Sequence, residues 1–555
     1  MAAAGTRTWL ALGAVALLGG LLAWFPTWHK GLGPRVAVDN LLAARTLALT
    51  GVAAIEDGEQ GVLLGTAEAR QRGRSLPPTA AGNRLTYQLH GRAMALVPEL
   101  QRHPHWLTAL LAALAAGLVA ALGARVRPGG AGPALAAGLL YMTLPVVLVA
   151  ASSPAHLDLA AAASAGVWLL VLGPRRAPRP SAILIAGLLA GVASLARDSF
   201  VVLAPVAALT LLGGYPEEED RPPAWRRLLA AICLCAVAAA VFLLGGGSQS
   251  VYLDQEARGR EYHRLGHGFP DFYTAEHYLT RAGGKALTPE ELAGDELLQD
   301  LDPRLAAIYA GLGDPTPGGT FHQLLARARA SLSFYPRAAI TLNTLGGPLP
   351  LGLCLLGLVA AGLSWRRSPL SRALLGGGSL FLLFHAALGT SNSSHLLLLG
   401  PPLALALGGG VDRVARGQGP TRIWLLPTVL GLVLLQQLLA GQVAMSHLYN
   451  GAGASRYGCA DARDRARQVA ATPGEGRVLV GTRGEDALAI AFLAERSAVV
   501  LAPRTLAYLA RRGELRAFLE AHRIDLVAGY SPELCAQPEV AQALEGLVAL
   551  PWSRP

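Results

Sequence analysis

The sequence predicts an α-helical polytopic membrane protein that ends in a small α/β domain. Three observations carry this expectation. The chain has 555 residues, 52% hydrophobic and 15% charged, whereas soluble globular chains carry about 25% charged residues. Long apolar runs separate short arginine clusters, and each run approaches the roughly 20 residues that cross a ~30 Å hydrocarbon layer. After residue 441 the pattern changes to short β-branched runs alternating with helix-patterned stretches, as in a parallel α/β sheet.

The apolar runs place spans at 8–26, 106–126, 131–151, 156–173, 180–196, 199–214, 227–246, 346–364, 372–389, 394–411 and 421–441, eleven in all. The first, "TWLALGAVALLGGLLAW", has no A-x-A cleavage site after it and reads as a retained signal anchor. Alternate loops hold Arg7; Arg125 and Arg127; Arg175, Arg176 and Arg179; Arg221, Arg226 and Arg227; Arg366, Arg367 and Arg372; and Arg413, Arg416 and Arg422. Positive charge near span ends stays cytoplasmic, so the N-terminus is expected inside and, with an odd count, the C-terminus outside. The formal net charge of +10 is thereby a matter of topology, not a nucleic-acid footprint. Lys30 and Lys285 are the only lysines. This Ala-, Gly- and Arg-rich composition is that of a GC-rich bacterial genome, and the expected location is the inner (cytoplasmic) membrane.

The expected division is a membrane domain, 1–441, with outer loops 27–105 and 247–345, followed by an extracytoplasmic α/β domain, 442–555. In the latter, "GRVLVGT", "SAVVLA" and "IDLVAGY" read as strands, and "EDALAIAFLAE" and "RTLAYLARRGELRAFLEAH" as helices. "GTRGED" lacks the glycine spacing of a phosphate loop. Cys459 and Cys535 are a candidate disulfide pair there; Cys233, Cys235 and Cys354 read as small apolar residues within spans.

Candidate chemistry collects in the outer segments. In "GPRVAVDNLLAARTLALTG" Asp39 stands ahead of apolar residues at helical spacing, which predicts a helix lying along the membrane face. On the residues alone Asp39 reads first as a helix cap and second as a functional carboxylate. "EDGEQ" (56–60), "SLPPT" (75–79) and "NRLTYQLHGR" (83–92) follow in the same segment. "SSPAHLDLAAAASAG" sets His156 and Asp158 at the start of a span, where an ionisable residue is expensive and marks a functional candidate. "LARDSF" offers either an Arg197–Asp198 ion pair or an arginine available to a phosphate. "TSNSSHLLLLGPPLALALGGG" brings Asn392, Ser394 and His395 to the tenth span. In the 247–345 loop, His263, His267 and His277 with Asp271 or Glu276 match no zinc spacing. The expected use of that loop is to close over a substrate.

This order of features resembles the GT-C glycosyltransferases, close to the branch of dolichyl-phosphate-mannose and aminoarabinose transferases. The matching pieces are the acid after the first span (Asp39), the proline pair Pro77-Pro78, "YMTLPVVLVAASSPAHLDLAAAA", "GLLAGVASLARDSF" and "SSHLLLLGPPLALALGGG", followed by a final span and an outer α/β domain. The resemblance implies a polyprenyl-phosphate-linked sugar donor and an extracytoplasmic acceptor: a lipid, glycan or protein. Asp39 is then the general base of an inverting transfer. Arg197, with His395 or Arg337, is implied to hold the phosphate, and His156 to line the substrate site. Asp158 is implied to orient the acceptor or to hold a divalent cation, Mg or Mn. The chain departs from the family in carrying Asn40 where many members have a second acid, and Ser394-His395 in place of Arg-Tyr. A lipid-linked-glycan flippase is the rival from another class, but it predicts internal repeats and mid-membrane charges that the sequence lacks. A non-catalytic assembly subunit predicts the same fold.

Overall fold

A computed structural model of the chain describes residues 2–30, 35–53, 62–73, 84–127, 131–173, 177–213, 215, 223–246, 269–312, 320–340, 344–360, 368–388, 393–416, 422–449, 462–481, 484–550 and 552. The described parts of all eleven apolar segments fall on helices. Among the described residues six helices are long and apolar enough to cross a membrane: Thr6–Trp24, His105–Val126, Ala224–Leu244, Pro369–Ala387, Ser394–Ala415 and Trp424–Met445. The segment expected as one span at 131–151 is a pair of helices, Ala131–Thr143 and Pro145–Ala151, bent by 69°. Pro145 causes the break: it lacks an N–H and pushes Leu144 out of the helical region, to ψ 127°. Four further apolar helices, Asp158–Leu172, Pro180–Ala196, Asp198–Leu211 and Pro348–Val359, are shorter than 18 residues. At 1.5 Å per residue the 15-residue Asp158–Leu172 helix reaches about 22 Å, less than a full hydrocarbon layer. The chain is a multi-pass membrane protein.

The bundle core is built from small residues, which lets helix backbones approach closely. Ala160, Ala163 and Ala165 of Asp158–Leu172 and Ala186, Ala190 and Ala193 of Pro180–Ala196 are all buried. Trp168 is fully buried, and its indole N–H donates to the Leu398 carbonyl at 2.7 Å. Leu398 belongs to the 3-10 segment Ser393–Leu399, whose irregular backbone would otherwise strand a carbonyl in an apolar core. At one end of the bundle Arg127 pairs with Asp412 at 3.2 Å, and the buried Arg372 donates from Nε to the Thr210 carbonyl at 2.9 Å. The α/β domain sits at the other end.

Its sheet has five strands: β1 (Val62–Leu63), β2 (Arg477–Val480), β3 (Ala498–Val500), β4 (Ile524–Ala528) and β5 (Val548–Leu550), in the order β1-β3-β2-β4-β5. Strands β2 to β5 are parallel, and β1 pairs antiparallel with β3. The runs read as strands at 476–482, 497–502 and 524–530 are β2, β3 and β4. β1 comes from the segment between the first two long apolar helices, far away in sequence. The period-2 alternation of a strand divides the sheet's side chains between two cores. Val478, Val480, Val500 and Leu526 face helix Gly484–Leu493 and, beyond it, helix Arg35–Thr50. Leu479, Val499 and Val527 face Pro503–Arg511 and Leu515–Ala521.

Residues 269–312 of the second large loop make a small helical unit around the buried Tyr278. It docks on the α/β domain. Asp271 caps helix Phe272–Ala282 through the Thr274 amide at 2.7 Å, and its other oxygen accepts from the Ala502 amide at 2.7 Å, at the start of Pro503–Arg511. Thr274 meets Thr505 at 3.1 Å, and Arg504–Asp300 and Arg511–Glu296 ion pairs flank the contact. Residues 269–312 of this loop therefore pack on the α/β domain, while its helix Thr320–Ile340 packs on the bundle, with Tyr335 reaching His395.

Candidate functional site

The site begins with helix Arg35–Thr50. Val38, Leu41, Leu42 and Ala44 are buried against the α/β domain, so the amphipathic helix expected on the membrane face is a buried strut between two domains. Asp39 lies one turn inside the helix and is 7% exposed; it is not at the capping position. Its neighbour Asn40, 2% exposed, donates from Nδ2 to the Ala155 carbonyl at 2.6 Å. Ala155 has a left-handed backbone (φ 54°), a strained choice for a residue with a Cβ. The bond thus ties the Asp39 helix to the tight turn that immediately precedes His156 and Asp158.

Asp158 opens helix Asp158–Leu172 and is buried. Its Oδ2 meets His90 Nε2 at 2.9 Å and accepts from the Thr108 hydroxyl at 2.7 Å, while Oδ1 accepts from the Leu159 amide at 2.8 Å. The same Thr108 hydroxyl accepts from the Ala155 amide at 3.4 Å. His90 and Asp158 side chains are 1% and 0% exposed. This is a closed buried network, the kind that holds its members in one geometry. His156 is buried beside it, within electrostatic reach of Asp158 and Arg197. The His156 Nδ1 has no hydrogen-bond partner among the described residues.

Arg197 follows helix Pro180–Ala196, whose end is pinned by the Thr86 hydroxyl donating to the Ala196 carbonyl at 3.1 Å. His395, 4% exposed, lies within electrostatic reach of Arg197 and His156. Its Nδ1 is 3.0 Å from the buried Tyr335 hydroxyl, and its ring stacks on His385 with centroids 4.7 Å apart. His156, Asp158, Arg197 and His395 therefore gather at the bundle end that meets the α/β domain, and the helix that carries Asp39 is tied to that end through Asn40. Arg337 does not join them through any described contact: it is exposed, two positions from Tyr335 and so on the opposite face of helix Thr320–Ile340.

An apolar cavity adjoins Asp158, walled by Gly19, Ala23, Ala115, Val147 and Leu397 among others. Among the described residues no group of three His, Cys, Asp or Glu side chains is placed to hold a metal ion. Both oxygens of Asp158 are engaged by His90, Thr108 and the Leu159 amide. The donor set among the described residues does not fit a divalent cation. Of the loop histidines, His277 instead meets Asp295 at 2.9 Å beside Arg281, and it stacks edge-on against Tyr508. His263, His267, Asn392, Cys459, Pro77 and Pro78, with "EDGEQ" and "SLPPT", lie outside the described residues.

Reading the residues missed His90, Thr108 and Tyr335. A signal for His90 exists: Tyr87, His90, Gly91 and Met94 line one buried face of helix Arg84–Leu96, which places an imidazole on an apolar stripe. Gly91 is needed there, because a Cβ would stand 2.7 Å from the Ala44 carbonyl oxygen of the Asp39 helix.

Fold and site define a multi-pass helical membrane protein with a buried cluster of acids, imidazoles and an arginine where the bundle meets an α/β domain. No protein-family profile and no curated protein matches the chain. Among solved structures it is similar to the archaeal oligosaccharyltransferase AglB from Archaeoglobus fulgidus in complex with an inhibitory peptide and a dolichol-phosphate. That match has 12% identity and TM-score 0.49, over 93% of this chain and 68% of the other. It is also similar to ArnT from Cupriavidus metallidurans bound to undecaprenyl phosphate, with 14% identity and TM-score 0.42 over 98% and 89% of the two chains. The apo form of ArnT gives 12% identity and TM-score 0.44 over 99% and 90%. At these values no activity and no residue role carries over.

Proposed function

We propose that the chain is a GT-C-type glycosyltransferase that transfers a sugar from a polyprenyl-phosphate donor to an extracytoplasmic acceptor, with inversion and with Asp39 as general base. The observation that supports the reading is the gathering of His156, Asp158, Arg197 and His395 at one bundle end, with the Asp39 helix tied to it through Asn40 and an apolar cavity adjoining Asp158. A buried carboxylate one helical position from a tethered Asn40 suits proton abstraction, which needs geometry within hydrogen-bond reach. Asp39 takes the proton of the acceptor hydroxyl or amine; the new bond forms at the anomeric carbon as its bond to the phosphate oxygen breaks. Polyprenyl phosphate leaves with the bonding pair. Arg197 and an imidazole of His395 or His156 answer the charge on the departing phosphate. Asp158, fixed by His90 and Thr108, orients the acceptor. The site end of the bundle faces the extracytoplasmic side, in keeping with the arginine bias of the opposite loops.

The test is transfer of radiolabel from polyprenyl-phospho-sugar in membranes containing Asp39→Asn. The isosteric amide keeps the shape and removes the base, and the expected loss is about 10²–10⁴-fold. Undiminished transfer removes Asp39 from the mechanism.

A further inference from the structure

Helix Arg35–Thr50 is held at two points along its length by hydrogen bonds to other parts of the molecule. Toward its start, Asn40 reaches the 152–157 turn through the Ala155 carbonyl at 2.6 Å. Five residues on, about 7.5 Å along the axis, Arg45 is buried at 5% exposure. Its Nη2 donates to the Gln101 carbonyl at 2.8 Å, and Nη1 donates to the Phe492 carbonyl and lies 3.5 Å from the Thr66 hydroxyl. The guanidinium also stacks on the Phe492 ring, 3.7 Å from its centroid. Phe492 is in the last turn of Gly484–Leu493, the helix between the Asp39 helix and the sheet. A cation at a helix C-terminus answers the partial negative charge of the carbonyls that lack intrahelical donors. Burial pulls Arg45 down to about 10, Glu495 opposing this and Arg70 reinforcing it, so the group remains a cation at neutral pH. Arg45 thereby joins three stretches far apart in sequence, residues 66, 101 and 492, to the helix that carries Asp39.

We propose that Arg45 is a positioning residue through which the α/β domain sets the place of Asp39 over the bundle end. The inference rests on the reading of Asp39 as the base. The α/β domain is then part of the reaction machinery without touching the substrate: its helix Gly484–Leu493 is the surface against which the base helix is registered, and Asn40–Ala155 is the second fixed point. Loosening Arg45 lets the helix shift relative to the 152–157 turn, and near-attack geometry is lost with small displacements. Substrate binding by Arg197 and His395 is left in place.

The experiment compares Arg45→Met and Arg45→Lys in the full chain. Arg45→Met keeps a long apolar stem and removes the donors. Hydrogen exchange of the 36–47 amides, a readout independent of any reaction, is expected to rise in Arg45→Met with the bundle helices unchanged. kcat for sugar transfer is expected to fall by about 10–100-fold with KM for the lipid donor within about twofold. Arg45→Lys, which keeps a cation at the carbonyls, restores part of both. In an Asp39→Asn background Arg45→Met is expected to cost nothing further, because it acts through Asp39. Unchanged exchange over 36–47 overturns the clamp. Raised exchange with wild-type kcat, where Asp39→Asn abolishes transfer, overturns the coupling and leaves the base reading standing. A rise in KM alone, or the same fractional loss in the Asp39→Asn background, also overturns it. Full transfer by Asp39→Asn is the distinct failure, that of the base assignment itself.

Discussion

Removing His90 tests the buried network directly. In the wild type Asp158 Oδ2 receives two short hydrogen bonds, from His90 at 2.9 Å and Thr108 at 2.7 Å, with both members of the His90–Asp158 pair essentially excluded from solvent. His90→Ala leaves a buried carboxylate with one side-chain donor and opens space where the imidazole stood. Removing one donor from a buried carboxylate leaves part of it unsatisfied and costs about 1–3 kcal/mol. Asp158→Asn removes the charge that makes His90 valuable, so His90→Ala should cost less in that background. The expected coupling is the worth of one charge-assisted hydrogen bond, about 1.5–3 kcal/mol. Reversible unfolding in detergent, followed by tryptophan fluorescence, reports it, because Trp168 sits fully buried on the Asp158 helix. If the two substitutions add within about 0.5 kcal/mol, the pair is not coupled and the network is wrongly drawn.

Other outcomes follow from contacts outside the bundle. Gly91→Ala places a methyl 2.7 Å from the Ala44 carbonyl and 2.9 Å from Leu47 Cδ2, an overpacking expected to cost about 1–3 kcal/mol and to lower the melting temperature together with transfer; wild-type melting would refute the tight crossing. Burial pushes the Asp271 carboxyl above its ordinary 3.8, hydrogen bonds from Thr505 and the Thr274 and Ala502 amides only partly opposing it. A raised folded value means a stabilising contribution that is full below 3.8 and fades as pH rises through the folded value. Asp271→Asn should remove that pH-dependent loss and cost about 1–3 kcal/mol at low pH through the acceptor it gives up; an unchanged pH profile of α/β-domain melting would count against it. Glu68 slopes the other way. Burial raises it, but bonds from Arg477, Ser497 and Arg72 outweigh burial and leave it depressed. Its contribution is present above 4.5 and is lost as pH falls through the folded value; Glu68→Gln should make the melting temperature less sensitive to acid in that range.

The spans and three central strands were legible because each is a local pattern: apolar runs for the helices, β-branched runs for β2, β3 and β4. Pro145 inside the 131–151 run was a local signal too, and it marks the bend. Asp158 and Arg197 stood out because ionisable residues at the ends of apolar helices are conspicuous. His90, Thr108 and Arg45 did not, since their meaning comes from partners 68, 50 and 447 positions away. Asp39 shows the intermediate case. Its helix was readable from spacing, but the apolar face that suggested a membrane surface packs against protein, because helix periodicity tells which face is buried and not by what. The loop at 269–312 followed the same logic: its polar and aromatic residues marked it as special, and its partner turned out to be the Pro503–Arg511 helix.

The two-residue strand β1 ties the beginning of the chain to its end. Gly65 donates its amide to the Ser497 hydroxyl at 2.8 Å, 432 positions away, and Val62 and Leu63 pair with Val499 and Ala498 beside it. During synthesis the segment that holds β1 is made early, and nothing exists for it to pair with until nearly every span has been inserted. The β1 edge of the sheet can therefore form only after β3 has been made. A fragment cut at residue 442 would carry β3 with its outer edge bare, an open template for strand pairing between copies, so the first segment completes the sheet of the terminal α/β unit.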